Sequence, residues 1–152
     1  MFKPMRLLAA LFLALPLHVA AAQPTVVAVP AANTKSPEVL RFLELLKSGK
    51  GREAVGSVMD SSRLYALKAG LREMLVKQIE AALAAYGPVT SYELVGTERI
   101  GTMVERQFYL VQHRDMVVRW EFGLVRTGAG WRIGHFGFND QVPAWFADAR
   151  QR

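Results

Sequence analysis

The hydrophobic pattern of this 152-residue chain changes its period at Gly87-Pro88, and this change limits the fold more than any other feature. Before it, apolar residues recur every three or four positions, which is the spacing of amphipathic helices. After it, they alternate with polar residues to about Asn139, which is typical of half-buried strands. Helices followed by consecutive strands with short connections predict an α+β domain, with helices on one face of an antiparallel sheet.

Three helices are predicted before the break. The first begins at Ser36, a good N-cap, with Pro37 at its first helical position. A short second helix covers about residues 52–59, and the longest follows Asp60 and extends to about Ala85. Four strands are predicted, over residues 90–100, 103–113, 117–126 and 131–139.

The N-terminal residues predict export. Lys3 and Arg6 precede an apolar run over residues 7–15, Pro16 ends that run, and Ala20-Ala21-Ala22 follows. These are the three parts of a secretory signal peptide, and the apolar run is shorter than the roughly 20 residues of a membrane-spanning helix. We expect a periplasmic or secreted protein without stable membrane insertion. Its expected parts are a signal peptide over 1–22, a flexible leader over 23–35, one domain over 36–146 and a tail over 147–152.

The composition argues against several classes of function. The chain has no cysteine, so we expect no disulfide and no thiolate metal site. Without Lys3 and Arg6, 17 basic and 13 acidic residues remain, a net charge of +4. The arginines of the strand region stand singly between apolar residues, whereas nucleic-acid-binding proteins cluster them. We therefore expect no nucleic-acid partner, and with only His113 and His135 after the signal peptide we expect no metal and no cofactor.

Pairing apolar residues across strands predicts which face of the sheet covers the helices. A turn centred on Asp115 puts Phe108 opposite Phe122. A turn centred on Gly128-Ala129 then puts Phe122 opposite His135. The helix-facing side would carry Phe108, Leu110, Val118, Trp120, Phe122, Leu124, Ile133 and His135, and the reverse side Tyr109, Arg119, Glu121, Phe136 and Phe138. Glycines 123, 134 and 137 inside the strands would permit bulges.

The order of elements, ending in Trp131-Arg132-Ile133-Gly134-His135-Phe136-Gly137-Phe138-Asn139-Asp140, resembles the nuclear-transport-factor-2-like (NTF2-like) superfamily over residues 36–140. It is most similar to the small exported bacterial members of unknown function. The resemblance implies an NTF2-like cone, in which a curved antiparallel sheet of about four strands wraps around the long helix. It also implies a pocket at the wide end and, in many members, a homodimer through the back of the sheet.

Two sets of site residues follow from the register and the resemblance. The candidates for lining a ligand pocket are Phe108, Leu110, Trp120, Phe122, His135 and Tyr86. The candidates for a homodimer interface are Tyr109, Arg119, Glu121, Phe136 and Phe138. The triplet His113-Arg114-Asp115 lacks the other motifs of a kinase and predicts a hairpin turn, with His113 at a strand end in water.

No catalytic motif is present, and we name no catalytic residue. The predicted function is non-catalytic binding of a small apolar or amphipathic ligand, or of a protein partner. One alternative is a small pocket enzyme of the isomerase, dehydratase or hydrolase type that uses His135 with Asp140 or Tyr86. The resemblance implies this alternative, because some members of that superfamily are enzymes. It requires a carboxylate within hydrogen-bond distance of His135 or of a pocket tyrosine. The other alternative is an accessory structural subunit of an envelope complex.

Overall fold

The computed structural model of the protein describes residues 35–61, 65, 68, 70–143 and 145. In this part the predicted α+β arrangement is confirmed. Helices α1 (Pro37–Lys47), α2 (Gly51–Met59) and α3 (Leu71–Tyr86) precede four strands. The strands β1 (Val89–Ile100), β2 (Val104–His113), β3 (Val117–Thr127) and β4 (Gly130–Asn139) pair in chain order as one antiparallel sheet.

Several predicted segments lie outside the described residues. They are the signal peptide, the leader up to residue 34 and the tail over residues 147–152. Among the helices that the structure describes, none combines the length and the apolar character that crossing a membrane requires.

Helix α1 attaches the helices to the sheet. Its residues Val39, Phe42, Leu43 and Leu46 recur at three- and four-residue steps and are buried. They pack on α2 and on strands β1 and β4. The helix ends where Gly49 takes a left-handed φ of 72°, a conformation that glycine adopts without steric cost.

Helix α3 starts later than predicted. Gly70 has a left-handed φ of 77° immediately before Leu71, so a continuous helix from Asp60 to Ala85 is wrong at this residue. The helix then runs to Tyr86, where Gly87 ends it and donates its backbone N–H to the carbonyl of Leu83. Residues 62–64, 66, 67 and 69 lie outside the described part of the chain.

The turn between β2 and β3 is one residue shorter than predicted. His113 donates its backbone N–H to the carbonyl of Met116 at 2.7 Å, which leaves Arg114 and Asp115 as a two-residue loop. Phe108 consequently lies opposite Glu121, and Leu110 opposite Arg119. The predicted register is wrong here, because a one-residue shift moves every side chain of a strand to the other face.

The turn between β3 and β4 has the predicted pairing, but a bulge follows it. Leu124 lies opposite Ile133, and the register then shifts by one residue at Gly134, so that Gly123 lies opposite His135. Phe136 and Phe138 therefore face the helices, and His135 is exposed on the reverse side. The prediction had these three side chains on the opposite faces, because it ran the register without a bulge.

We call the helix-facing side of the sheet the inner face and the reverse side the outer face. The inner face is rich in aromatic rings that meet α1. The centroid of the Phe42 ring lies 5.5 Å from that of Trp120, 5.4 Å from that of Phe122 and 5.1 Å from that of Phe136. The prediction that Val118, Trp120, Phe122, Leu124 and Ile133 face the helices is confirmed, and all five are buried.

Candidate functional site

An open groove of about 590 Å³ runs between α3 and β4. Its lining residues come from one face of the helix and from the second half of the strand. They are Leu75, Gln78, Ile79, Ala81, Ala82, Ala85 and Tyr86 on α3, and Phe136, Gly137 and Phe138 on β4. The volume lies within the range of about 300–1,000 Å³ that is usual for small-molecule sites.

The groove exists because its two walls carry side chains of very different size. On α3, Ala81, Ala82 and Ala85 present only methyl groups toward the space. On β4, the bulge at Gly134 turns Phe136 and Phe138 inward. Small residues on the helix thus leave room that the two phenylalanine rings do not fill.

The strand wall of the groove is backed by the core. The Trp120 ring stacks on Phe136, with centroids 6.5 Å apart and planes at 13°, and its centroid lies 5.0 Å from that of Phe138. The indole N–H of Trp120 is buried and has no hydrogen-bond partner among the described residues. The contacts of Trp120 with the two phenylalanine rings fix the orientation of the strand wall.

One end of the groove is polar. The hydroxyl of Tyr86, in the last turn of α3, donates a hydrogen bond of 2.7 Å to Oδ2 of Asp140, which follows β4. This hydrogen bond is the main cause that raises the pKa of Tyr86, because the neighbouring carboxylate favours the neutral phenol. The pair ties the helix to the end of the strand and places one carboxylate at the groove end.

His113 lies at the same end of the groove and contacts Tyr86. Its ring meets Tyr86 edge-on, with centroids 5.6 Å apart, and its Nδ1 donates to the carbonyl of Gly87 at 2.8 Å. The side chain is only 3% exposed, and Nε2 has no hydrogen-bond partner within the described residues. The hairpin turn is confirmed, but the prediction that His113 lies in water is wrong, because the two-residue loop turns it to the inner face.

The structure divides the six predicted pocket residues among three places. Tyr86 lines the groove, whereas Trp120 and Phe122 lie in the core behind it. Phe108, Leu110 and His135 are on the outer face. The groove residues Phe136 and Phe138 were missed as pocket residues. The one sequence signal for them is the glycine at position 134, inside a strand pattern.

The outer face differs from the predicted interface. Arg119 and Glu121 lie there as predicted, but Tyr109, Phe136 and Phe138 are on the inner face. Phe108 does lie there, and the guanidinium groups of Arg106 and Arg119 are 5.1 and 5.3 Å from the centroid of its ring. These arginines leave the ring only 4% exposed, and Arg106 also pairs with Glu98 and Glu121.

A second polar cluster is buried beside Ser36, the N-cap of α1, and was not predicted. Gln107 donates to Oε1 of Glu105 at 2.6 Å and accepts from the hydroxyl of Tyr109 at 3.2 Å. Arg99 donates to the other oxygen of Glu105 at 2.6 Å. Burial raises the pKa of Tyr109 to about 12. Because the amide of Gln107 is bonded at both ends, this cluster fits a structural role.

A further hollow, of about 660 Å³, is lined by residues of α1, α2 and the first turn of α3. Arg52 and Arg72 line it, and they pair with Glu73 and Asp60 respectively. These ion pairs neutralise much of its charge. Within the described residues, no group of three or more side chains is arranged to hold a metal ion.

Comparison with known proteins identifies no family. No protein-family pattern matches the chain, and no curated protein matches it. Among solved structures, the chain is similar to a crystal structure from Nostoc punctiforme PCC 73102, described as a domain of unknown function with a cystatin-like fold. The two are 9% identical with a TM-score of 0.48, over 74% of this chain and 80% of the other. Similarity at this level assigns neither a family nor a function.

Proposed function

We propose that the protein is an exported, non-catalytic binding domain of the NTF2-like type, whose groove between α3 and β4 holds a small apolar or amphipathic ligand. The observation that carries the proposal is the groove itself, about 590 Å³ in volume and lined mainly by leucine, isoleucine, alanine and phenylalanine. Sites for small molecules are mostly apolar and have a few placed polar groups. Here the polar groups are Gln78 and the Tyr86–Asp140 pair.

The preformed strand wall supports this proposal. Phe136 and Phe138 are only partly buried, yet both pack against Trp120 in the core. Ordering side chains on binding costs free energy, and rings that are already held in place avoid much of that cost. An apolar ligand would complete the burial of both rings and gain the hydrophobic contribution of the covered surface.

Binding is a better fit than catalysis. The Tyr86–Asp140 pair meets the requirement for a carboxylate at a pocket tyrosine, so a pocket enzyme is our second candidate. However, His135 is exposed on the outer face. The Tyr86 hydroxyl already donates a hydrogen bond to Asp140, and that hydrogen bond would have to break before the phenol could stabilise an oxyanion.

The binding proposal is tested with N-phenyl-1-naphthylamine, an uncharged apolar fluorophore. Titrated into the protein from residue 23 onward, it should show saturable, enhanced emission with one site per chain. Ala82→Phe places a ring in the groove and should weaken the binding at least about tenfold, which corresponds to about 1.4 kcal/mol.

The matched control is Ala84→Phe, the same substitution in the same helix. Ala84 is exposed and does not line the groove, so this variant should bind the fluorophore like the unmodified protein. Emission that does not saturate, or an equal loss in both variants, would overturn the proposal.

Export is tested separately. The protein recovered from the periplasm or the medium of its own cells should have the mass of a chain that begins at Gln23, because residues 1–22 have the form of a cleavable signal peptide. A chain of full mass in the cytoplasm would contradict it.

A further inference from the structure

We infer that the groove prefers an organic cation, an amphiphile with a primary ammonium group at Asp140 and an apolar body between α3 and β4. The inference rests on the proposed function and adds the charge of the ligand to it.

Asp140 offers an unpaired acceptor. Tyr86 donates to its Oδ2, while its Oδ1 has no partner among the described residues. No lysine, arginine or histidine in the described part of the chain forms an ion pair with it. The nearby cation Arg114, which packs against Gly87, donates three hydrogen bonds of 2.6–3.0 Å to Asp115 instead. The groove end therefore carries a negative charge that the described residues leave uncompensated.

The groups around this carboxylate suit an ammonium ion. Tyr86 and Phe138 both line the groove at the end where Asp140 lies. The faces of aromatic rings attract cations, and a carboxylate beside such rings adds a charge-assisted hydrogen bond. The hydrogen bond from Tyr86 also fixes the orientation of the carboxylate, so that its second oxygen is available.

The remainder of the lining contains no charged side chain. Apart from Tyr86, Gln78 is its one polar side chain, and Leu75, Ile79 and Phe136 are typical of the rest. Nothing in the lining would compensate an anionic head group, and Asp140 would repel it. An ammonium amphiphile should thus bind more tightly than a neutral one of equal length, and an anionic one should bind most weakly.

Calorimetric titration with octylamine, octanol and octanoate at pH 7 and low salt tests this order. The three have the same chain length and differ in the charge of the head group. Octylamine should bind about tenfold more tightly than octanol, and octanoate more weakly than both. Raising the salt concentration should reduce the advantage of octylamine and leave octanol unchanged.

Two variants locate the source of the preference. Asp140→Asn keeps an oxygen that accepts from Tyr86 but removes the charge, so octylamine and octanol should then bind equally. The matched control is Glu93→Gln, which removes an exposed carboxylate from the outer face of β1 and should retain the preference. Circular dichroism would confirm that both variants are folded.

The outcomes separate the inference from the proposed function. If octylamine and octanol bind equally to the unmodified protein, the inference fails and apolar binding stands. A preference that persists in Asp140→Asn also overturns the inference. If none of the three compounds binds, both proposals fail.

Discussion

The inner face of the sheet is filled beneath α1 and open beside α3, although the strands carry aromatic rings in both regions. Beneath α1, the ring of Phe42 is fully buried against Trp120, Phe122 and Phe136. Beside α3, alanines lie opposite Phe136 and Phe138, and a groove of about 590 Å³ results. The size of the helix side chains, rather than the chemistry of the sheet, decides which region is filled core and which is an open groove.

The largest expected effect tests the filled region beneath α1, which we call the closed region, as opposed to the open region beside α3. Phe42→Ala should lower the free energy of unfolding by about 3–5 kcal/mol, because it leaves a cavity among three rings. Phe138→Ala in the open region should cost about 1 kcal/mol, since that ring is already partly exposed. Urea denaturation of both variants measures the difference. Equal losses would mean that the two regions are packed alike.

A substitution of a polar side chain should also lower the free energy of unfolding more in the closed region than in the open region. Gln107→Leu in the closed region should cost about 1–3 kcal/mol, because Glu105 and Tyr109 each lose a buried hydrogen-bond partner. Asp140→Asn in the open region should change the free energy of unfolding by less than about 0.5 kcal/mol, because the amide oxygen still accepts from Tyr86 and the side chain is exposed. The comparison fails if the exposed substitution is the more costly one.

The smallest effect is a pH dependence of stability. Burial is the main cause that raises the pKa of Tyr92 and of Tyr109 to about 12, from a usual value of 10.0. The folded state therefore holds these two protons more tightly than the unfolded state does. Their contribution to stability is complete below about pH 10 and is lost as the pH rises toward 12.

Urea midpoints measured between pH 9 and pH 11.5 test this dependence, and phenolate absorbance follows the ionisation itself. Tyr109→Phe should make the decline in stability less steep. The prediction is contradicted if all tyrosines ionise near pH 10 in the folded protein.

The positions of most elements could be predicted because their signals are local. Pro37 and Gly87 mark the start of α1 and the end of α3, and the predicted strands agree with the observed ones within one residue at each end. Helical and alternating periods are properties of a few consecutive residues. Gly70 was the exception, because an isolated glycine inside a helical pattern is tolerated in many helices.

The faces of the strands could not be predicted with the same certainty. In β2, the residues on both sides of the strand include apolar ones, with Phe108 and Leu110 on one side and Tyr109 and Val111 on the other. The pattern alone does not choose between them, and the length of one loop does. Phe108 is nevertheless buried, because two arginines of the outer face cover its ring.

The groove could not be predicted in full, because it depends on packing between distant parts of the chain. Tyr86 and Asp140 are 54 residues apart, and their hydrogen bond requires α3 to end where β4 ends. Tyr86 was predicted as a pocket residue and Asp140 as a possible partner of His135, but the pairing of Tyr86 with Asp140 was not predicted and the aromatic wall was placed on the wrong face. That error came from a bulge at Gly134, a position where the sequence indicated that a bulge was permitted.

This bulge makes one wall of the groove depend on the count of residues in a strand. With Gly134 inserted, Phe136 and Phe138 face the helices and His135 faces outward. Loss of that single residue would exchange the two sets of side chains without any amino-acid replacement. In evolutionary terms, a three-nucleotide insertion or deletion is enough to form or remove the aromatic wall of the groove. Two chains of nearly the same amino-acid composition can therefore present different side chains at this groove.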